Sequence, residues 1–245
     1  MSSAAPDVLI LAAGCGLRLG ALSRAKPKCL VEVGGEAPLD RWSRLLESLP
    51  ATDITVNTHH LAEQVDKRLS RYMTAGPHRW RALHEPTLLG SAGTLRRWIE
   101  GVTRENILVI YADNISDLDP WEFVRNSRSG GWPITLGLFR APDRRSCGLA
   151  ICDADGRIVG FEEKPAKPST DLAFAGIFAA EVTALRPFLR ERHRDIGSDL
   201  LPDLIGHAGG LELGCYHRDM GTAAAIAAIE RDAADGLWHP HGQGL

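Results

Sequence analysis

The sequence lacks long apolar runs, so a membrane-spanning helix is not expected. No stretch of the 245 residues approaches the roughly 20 consecutive apolar residues that a membrane-spanning helix requires. No charged and then apolar segment opens the chain, so no signal peptide is indicated. We therefore predict no membrane partner and a cytoplasmic location.

Cysteine is scarce, and its positions suit neither a disulfide framework nor a metal site. The chain has five cysteines, an odd number, and none forms a Cys-x-x-Cys pair or lies beside histidines at metal-ligand spacing. The adjacent His59 and His60 have no third ligand near them in sequence, which argues against zinc. We expect reduced thiols at Cys15, Cys29, Cys147, Cys152 and Cys215.

A large excess of charge of one sign is also missing. The sequence has 28 Lys and Arg against 31 Asp and Glu, which gives a net charge of -3. Such a balance does not provide a surface for polyanions, so nucleic acid is not an expected partner. The basic groups that matter should be few and local.

Two common nucleotide-binding signatures are absent from the glycine-rich segment at residues 11–19. A dinucleotide-binding fingerprint needs a third glycine three residues after the second, but that position is Leu19, and Gly20 comes one residue late. A P-loop needs Gly-Lys followed by Ser or Thr, and no such triplet follows. An ordinary glycine-rich turn remains an alternative.

The residues that this segment does contain favour a bound triphosphate. Residues 8–11 are apolar and predict a buried strand that runs into a tight loop. Gly14 and Gly16 allow backbone N–H groups to approach a phosphate chain without a side chain in the way. Arg18 and Lys28 can neutralise charge on the phosphoryl oxygens.

Strand-like and helix-like segments alternate along the chain, which predicts an α/β fold in one domain with a mostly parallel sheet covered on both faces. Between residues 134 and 178 the strands are separated by turns, which predicts an antiparallel hairpin region. The predicted strands are 54–58, 107–111, 134–139, 149–152, 158–161 and 173–178. The predicted helices are 39–49, 61–73, 92–99, 181–189 and 222–235.

Several blocks of residues, in family order, resemble the signature of the sugar-1-phosphate nucleotidyltransferases. The blocks are residues 11–18 (LAAGCGLR) with 26–35 (KPKCLVEVGG), 89–94 (LGSAGT), 111–114 (YADN), 163–165 (EKP) and 219–222 (DMGT). The resemblance implies a Rossmann-like three-layer α/β/α fold with a mixed, mostly parallel central sheet and a small antiparallel hairpin region. It also implies one domain over residues 1–245, with a nucleotide-binding half at about 7–130 and a sugar-phosphate half at about 131–236.

The same resemblance implies an enzyme that makes a nucleoside-diphosphate sugar and pyrophosphate from a nucleoside triphosphate and a sugar 1-phosphate, with Mg²⁺ as cofactor. It implies catalytic roles for Arg18, Lys28 and Asp113, and ligation of Mg²⁺ by Asp113 and Asp219. The nucleotide-binding residues that it implies are Leu11, Ala12, Ala13, Gly14, Gly16, Arg18, Lys28, Glu85, Gly90, Ser91 and Asp113. The sugar-phosphate-binding residues are Gly148, Glu163, Lys164 and Gly176.

Structural alternatives remain for the charged residues in this set. Aspartate is favoured at caps, so Asp113 could cap a turn or helix and Asp219 could cap the last helix. Glu163 and Lys164 could be a solvent-facing pair before a turn proline.

The identity of the base depends on Glu85, which lies five residues before Gly90, where thymidylyl- and uridylyl-transferring relatives commonly have glutamine. An ionised carboxylate only accepts hydrogen bonds. Guanine offers N1–H and an exocyclic amine side by side, whereas thymine and uracil would present a carbonyl, so Glu85 favours GTP. The alternative is a loop residue before Pro86 that faces water.

The substrates and the branch of the family stay open between three possibilities. Residues 59–64 and 143–148 look most like the short bacterial mannose- or heptose-1-phosphate guanylyltransferases, so GTP with one of these sugar phosphates is favoured. Residues 26–30 also resemble phosphocholine cytidylyltransferases of the same fold. A catalytically silent nucleotide-sugar sensor is the third possibility, although the joint retention of the implied charged residues argues against it. A homo-oligomer is left open.

Overall fold

The computed structural model describes residues 4–240, in which strands and helices alternate along most of the chain. The strands are β1 (Asp7–Leu11), β2 (Asp53–Thr58), β3 (Arg79–His84), β4 (Asn106–Tyr111), β5 (Asn114–Ser116), β6 (Ile134–Arg140), β7 (Gly148–Cys152), β8 (Ile158–Glu163), β9 (Leu172–Glu181), β10 (Gly209–Glu212) and β11 (His217–Asp219). The helices are α1 (Ala21–Ala25), α2 (Pro38–Leu45), α3 (Ala62–Tyr72), α4 (Ser91–Ile99), α5 (Pro120–Ser129), α6 (Val182–Leu185), α7 (Leu201–Asp203) and α8 (Ala223–Ala234). Within these residues the strands form a mixed sheet and a separate antiparallel pair, which confirms the predicted α/β class.

The residue contacts group the described chain into two compact units. The glycine-loop unit consists of Ile10–Leu88, Tyr111–Trp121 and residues 215–240. The hairpin unit consists of residues 4–9, Leu89–Ile110 and Glu122–Gly214. Each unit draws on separated stretches of sequence, whereas the predicted halves were continuous. The prediction of one domain over residues 1–245 stays a prediction.

In the hairpin unit the strand order is β10-β6-β9-β4, with β7 beside β9 and β8 beside β7. Strand β10 is parallel to β6, while β9 is antiparallel to both β6 and β4. Strands β7 and β8 form an antiparallel hairpin whose register joins Gly148 to Glu163, as the turn-rich sequence predicts. The middle of β4 is completely buried, which explains its continuous apolar run.

In the glycine-loop unit β2 and β3 are parallel, with Thr58 paired to His84, and β5 and β11 are antiparallel, with Asn114 paired to Asp219. A buried apolar cluster supports this second pair and α8. Its members are Leu19, Val31, Val33, Ile115, Met220, Ile226, Ile229 and Trp238. Because Leu19 and Met220 are drawn into this cluster, the neighbouring Arg18 and Asp219 are left on its outer side.

Most predicted elements are found, with shifted ends. The predicted helix at 181–189 is wrong in length, since Glu181 ends β9 and the helix covers only Val182–Leu185 before a 3₁₀ turn that contains Pro187. Proline has no N–H to continue the helical hydrogen bonds. Strands β3, β5, β10 and β11 and helices α1, α5 and α7 are elements that the sequence did not predict. Across residues 4–240, every helix is too short or too polar to span a membrane.

Candidate active site

The loop after β1 begins with backbone groups that are already engaged. The carbonyl of Leu11 accepts a hydrogen bond from the N–H of Ala112 at 3.0 Å. The N–H groups of Ala12 and Ala13 donate to Oδ1 of Asn57 at 2.6 and 3.1 Å. The sequence assigns Leu11, Ala12 and Ala13 to nucleotide binding. In the structure, these backbone groups form hydrogen bonds within the protein.

The next residues of the loop present open backbone. Within residues 4–240, the N–H groups of Gly14, Cys15 and Gly16 make no hydrogen bond. A Cβ at Gly14 would meet nothing within 4 Å, and Gly16 has a left-handed φ of 61° that favours glycine. These are the N–H groups that can receive a phosphate oxygen.

Gly16 also has a packing reason to be glycine. A Cβ there would lie 3.0 Å from Cβ of Ser23 and 3.3 Å from Cβ of Lys28. A side chain would therefore press on the stem of Lys28, which is buried in the short 3₁₀ turn Lys28–Leu30. The predicted loop and the predicted lysine are thus fitted to each other.

The ammonium group of Lys28 lies between two carboxylates. Its Nζ forms an ion pair with Oδ2 of Asp113 and is 3.6 Å from Oδ1 of Asp219. The antiparallel β5–β11 pair explains this arrangement, because Asp113 directly precedes β5 and Asp219 ends β11, and the N–H of Met220 donates to the carbonyl of Asp113 at 3.1 Å. Residues that are about 100 positions apart in the sequence are brought together at one edge of this small sheet.

Arg18 joins the same charged cluster beside Gly221. A Cβ at Gly221 would be 3.0 Å from Oδ1 of Asp219 and 3.1 Å from Nη2 of Arg18, so only glycine leaves room for both groups. The pKa of Asp219 is raised above its ordinary value, first by desolvation and second by the negative charge of Asp113, while Lys28 and Arg18 oppose the rise. We call Arg18, Lys28, Asp113 and Asp219 the charged cluster.

The alternative that Asp219 caps the last helix is wrong. Helix α8 is capped by Thr222, whose Oγ1 accepts a hydrogen bond from the N–H of Ala225 at 3.1 Å, so Asp219 is not the cap. Asp113 precedes a strand, and its carboxylate pairs with Lys28. Both carboxylates therefore face the cluster.

The cluster offers a suitable donor set for a magnesium ion. Carboxylate oxygens are hard ligands, and Mg²⁺ takes only one or two protein carboxylates while its other ligands are waters and substrate phosphates. No group of three or more His, Cys, Asp or Glu side chains suited to a metal occurs among the described residues. The two carboxylates thus have the donor chemistry for magnesium held together with a phosphate ligand.

Glu85 is placed differently from the sequence expectation. Its side chain has no exposed surface, so the alternative of a water-facing loop residue is wrong. Its Oε1 accepts a hydrogen bond from Nδ2 of Asn57 at 2.9 Å. The carboxylate is therefore directed at the residue that holds the start of the glycine loop.

The two adjacent histidines have structural partners in this unit. Nδ1 of His59 is 2.7 Å from the carbonyl of Glu85, and Nε2 of His60 is 2.8 Å from the carbonyl of Ser23. Both side chains therefore connect the end of β2 to the backbone of a neighbouring segment.

In the hairpin unit, Gly90 and Ser91 are fastened to a loop that the sequence did not highlight. Gly90 has a φ of 80°, and a Cβ there would be 2.2 Å from the carbonyl oxygen of Arg194. The Ser91 hydroxyl donates to Oδ2 of Asp195 at 2.9 Å and accepts from the N–H of Ile196 at 2.8 Å. Gly90 is therefore required for close backbone contact, and the Ser91 side chain holds the loop.

The sugar-phosphate candidates lie around the β7–β8 hairpin. Nζ of Lys164 is 3.2 Å from Oε1 of Glu163, and both side chains are largely exposed. Lys164 has a left-handed φ of 44°, a conformation that costs a non-glycine residue energy and is often found at functional sites. A Cβ at Gly148 would be 2.6 Å from the Phe161 ring and 2.8 Å from Oε2 of Glu163, so a side chain there would displace both.

Gly176 interrupts strand β9 at a bulge. It has a φ of 67°, and the register with β6 shifts between Leu136 and Leu138 at this point. A glycine in the left-handed region is typical of such irregularities. The four sugar-phosphate candidates thus share the hairpin unit.

Residues 7–236 match the model of the nucleotidyl transferase family. The chain belongs to this family. A glucose-1-phosphate adenylyltransferase of Desulfitobacterium hafniense is 28% identical over 247 residues, which cover 87% of this chain and 60% of the relative. A valienol-1-phosphate guanylyltransferase of Streptomyces hygroscopicus subsp. limoneus is 27% identical over 261 residues, which cover 87% of this chain and 68% of the relative. The chain thus spans about three fifths of the length of the first of these relatives.

Two solved structures show that the family fold is shared. HddC from Yersinia pseudotuberculosis, complexed with GMP-PN, has a TM-score of 0.76 at 20% identity and covers 93% of this chain and 99% of its own. A protein described as a glucose-1-phosphate thymidylyltransferase from Bacillus anthracis, in complex with a sucrose, has a TM-score of 0.79 at 23% identity. The match covers 94% of this chain and 96% of that protein's chain. The predicted family and fold are confirmed.

For this member of the nucleotidyl transferase family, the charged cluster brings together residues that the sequence predicted, while Asn57 was missed. Asn57 is 3% exposed and contacts both the glycine loop and Glu85. A polar residue at an otherwise buried position of β2 is the signal that could have indicated it.

Proposed function

We propose that this protein transfers a nucleotidyl group from a nucleoside triphosphate to a sugar 1-phosphate and releases pyrophosphate. The observation that carries the proposal is Lys28 between Asp113 and Asp219, with Arg18 near Asp219 beside Gly221. Family membership and the open N–H groups after Ala13 support it.

In the proposed reaction, a phosphate oxygen of the sugar 1-phosphate attacks the α-phosphorus of the nucleoside triphosphate. The new P–O bond forms as the bond between the α-phosphorus and the bridging oxygen breaks, and pyrophosphate leaves with that electron pair. The protein's part in such a transfer is positioning and charge stabilisation. The N–H groups of Gly14, Cys15 and Gly16 would receive phosphate oxygens, and Arg18 and Lys28 would neutralise the charge that builds up on the triphosphate.

Asp113 and Asp219 would hold Mg²⁺ in this proposal. When it is bound, the ion supplies charge stabilisation to the reacting phosphates. The two aspartates would also keep the Lys28 ammonium in place by their opposite charge. We assign Lys164, with Glu163, to the sugar phosphate, because the compact ammonium suits a phosphate and the left-handed backbone fixes its direction.

We propose GTP with mannose or heptose 1-phosphate as the substrate pair. The guanylyltransferase relative and the complex of HddC with GMP-PN support guanine, and the adenylyltransferase relative makes ATP the alternative donor. Since Glu85 has no exposed surface, the preference for guanine does not depend on its carboxylate being open to the base.

A pyrophosphate-release assay tests the proposal. The assay combines each of four nucleoside triphosphates with a panel of sugar 1-phosphates and with phosphocholine, in the presence and absence of magnesium. Release that requires GTP, a hexose or heptose 1-phosphate and magnesium is expected. Release with CTP and phosphocholine alone would favour the cytidylyltransferase alternative, and nucleotide-sugar binding without turnover would favour the sensor.

A further inference from the structure

The glycine loop is held from behind by a buried pair of polar side chains. Oδ1 of Asn57 accepts the N–H groups of both Ala12 and Ala13, and Nδ2 of the same amide donates to Oε1 of Glu85. The exposed fractions of Asn57 and Glu85 are 3% and 0%. Both polar ends of one amide are thus used, and neither residue offers surface to a ligand.

Strand register explains why the two side chains meet. Asn57 is paired with Leu83 in the parallel β2–β3 ladder, and the N–H of Glu85 donates to the carbonyl of Thr58 at 2.8 Å. Glu85 is two residues beyond Leu83, so both side chains lie on the same face of the sheet. The pair is therefore fixed by the strands and not by mobile loops.

The position of the pair along the loop gives it consequences for ligand binding. The two N–H groups that Asn57 accepts immediately precede Gly14, Cys15 and Gly16, whose N–H groups are open. The hydrogen bonds from Ala12 and Ala13 anchor the start of the loop, so that only the φ and ψ angles of the next few residues set the direction of the open N–H groups. A catalytic geometry displaced by about 1 Å can lose roughly 100-fold in rate.

We infer that Asn57 and Glu85 are positioning residues that aim the open N–H groups of the glycine loop at the triphosphate. The inference rests on the proposed function for the identity of the ligand. Glu85 acts on the nucleotide through the amide of Asn57, which it holds in the one orientation that presents Oδ1 to the loop. This differs from direct reading of the base by Glu85.

The amide of Asn57 and the carboxylate of Glu85 can be exchanged by substitution, which tests their contact. Asn57→Asp keeps an acceptor for the loop but turns an oxygen toward the Glu85 carboxylate, so two buried acceptors of like charge face each other. Adding Glu85→Gln restores a donor on the other side of the contact. The double variant N57D/E85Q therefore keeps the net charge of the wild type and replaces the hydrogen bond from Asn57 to Glu85 with one in the opposite direction, which the new amide donates to the new carboxylate.

The first measurement is steady-state kinetics of the wild type, N57D, E85Q and N57D/E85Q. We expect N57D to raise KM for the nucleoside triphosphate by about tenfold or more while KM for the sugar phosphate stays within about twofold, as for a lost buried hydrogen bond. We expect E85Q to be mild, since a glutamine oxygen can still accept from Asn57, and N57D/E85Q to recover most of the loss. Ile54→Val, a buried change on the same strand, is the control for general destabilisation and should alter neither KM.

The second measurement is hydrogen exchange of the peptide containing residues 11–16, without ligand, so it does not depend on the proposed reaction. Exchange at Ala12 and Ala13 should be faster in Asn57→Ala and N57D by about tenfold or more, and should return toward the wild-type rate in N57D/E85Q. If N57D/E85Q exchanges as fast as N57D, or if both substrates' KM values rise equally in N57D, the positioning role is overturned. A wild type that turns over no substrate refutes the proposed function, while the exchange result still decides whether the pair orders the loop.

Discussion

At the scale of single residues, the charged cluster shows how few side chains carry the proposed chemistry. Lys28 is almost fully buried and its ammonium is held by two aspartates, whereas Arg18 is exposed. Burial makes the lysine a fixed donor, since a preorganised group needs no rearrangement when charge develops on the substrate. The following predictions concern these residues.

Replacing Lys28 by alanine should lower kcat by about 100-fold, the size seen when a preorganised charge-stabilising donor is removed. The variant also leaves the two aspartates facing each other without a cation. Steady-state kinetics should compare it with Lys26→Ala, which removes the neighbouring exposed lysine that pairs with Glu32. An unchanged kcat with a higher KM for the nucleoside triphosphate would restrict Lys28 to ground-state binding.

Asp113→Asn and Asp219→Asn should each reduce turnover by more than about tenfold, a loss near 1.4 kcal/mol, because each removes a proposed magnesium ligand. Circular dichroism should show that the fold is kept. Titration with Mg²⁺ provides the sharper measurement, since both variants should need higher magnesium for half-maximal activity. A magnesium dependence equal to that of the wild type would argue against ligation.

Two variants of Lys164 separate its charge from its backbone conformation. Lys164→Ala should raise KM for the sugar phosphate far more than KM for the nucleoside triphosphate. Lys164→Gly should have the same kinetic effect but should be more stable than the alanine variant by about 1 kcal/mol, since glycine adopts a φ of 44° without strain. Kinetics and urea unfolding test the two parts, and equal stability of the variants would deny the strain.

At the scale of elements, buried strands and amphipathic helices were predictable, but pairing was not. The apolar run of β4 identifies the strand that precedes Asp113. Strand β3, with its arginines, was missed, and its register with β2 is what joins Asn57 to Glu85. A side-chain pair that depends on the register of an unrecognised strand cannot be found from periodicity alone.

Helix α5 shows a related difficulty. Asp119 caps the start of this helix, since the N–H of Trp121 donates to its Oδ1 at 2.8 Å. The helix itself follows from Pro120 to Ser129 and was not predicted. Proline is well tolerated in the first turn of a helix, so Pro120 after a capping aspartate is the sequence signal that could have predicted α5.

The cap of α8 leads to a stability prediction at this scale. Thr222→Ala should lower the free energy of unfolding by about 1 kcal/mol, because the N–H of Ala225 loses its acceptor. Thr222→Ser should keep most of this stability. Urea denaturation of the three proteins measures the difference, and identical midpoints for the alanine and serine variants would refute the role of the hydroxyl.

At the scale of the whole molecule, the two compact units are built from separated segments. The charged cluster was predictable from motifs because each motif is local, and the structure brings Lys28, Asp113 and Asp219 together within the glycine-loop unit. The boundaries of the units were not predictable, because they depend on contacts between segments far apart in sequence. The sequence suggested two continuous halves, at about 7–130 and 131–236. The residue contacts instead group separated segments into each unit.

Arg41 stabilises the glycine-loop unit by joining three of its segments. The guanidinium pairs with Glu36 at 2.8 Å and with Asp117, donates to the carbonyl of Ser116 at 2.7 Å, and lies 4.7 Å from the ring centre of Trp238. Arg41→Met should cost about 3–5 kcal/mol, since it leaves the buried Glu36 carboxylate without this cation. Thermal and urea unfolding measure the loss. Adding Glu36→Gln should recover part of it, and no recovery would mean that packing against Trp238 dominates.

The charged cluster has a further consequence for how a substrate arrives. Two cations, Arg18 and Lys28, stand beside two anions, Asp113 and Asp219, so the formal sum is zero. The electric field of a group of charges that sums to zero falls off over a short distance. Salt screens it further, with a Debye length of about 8 Å at physiological ionic strength. The cluster therefore does little to draw a polyanion from bulk solution, and recognition by these four residues begins only on contact.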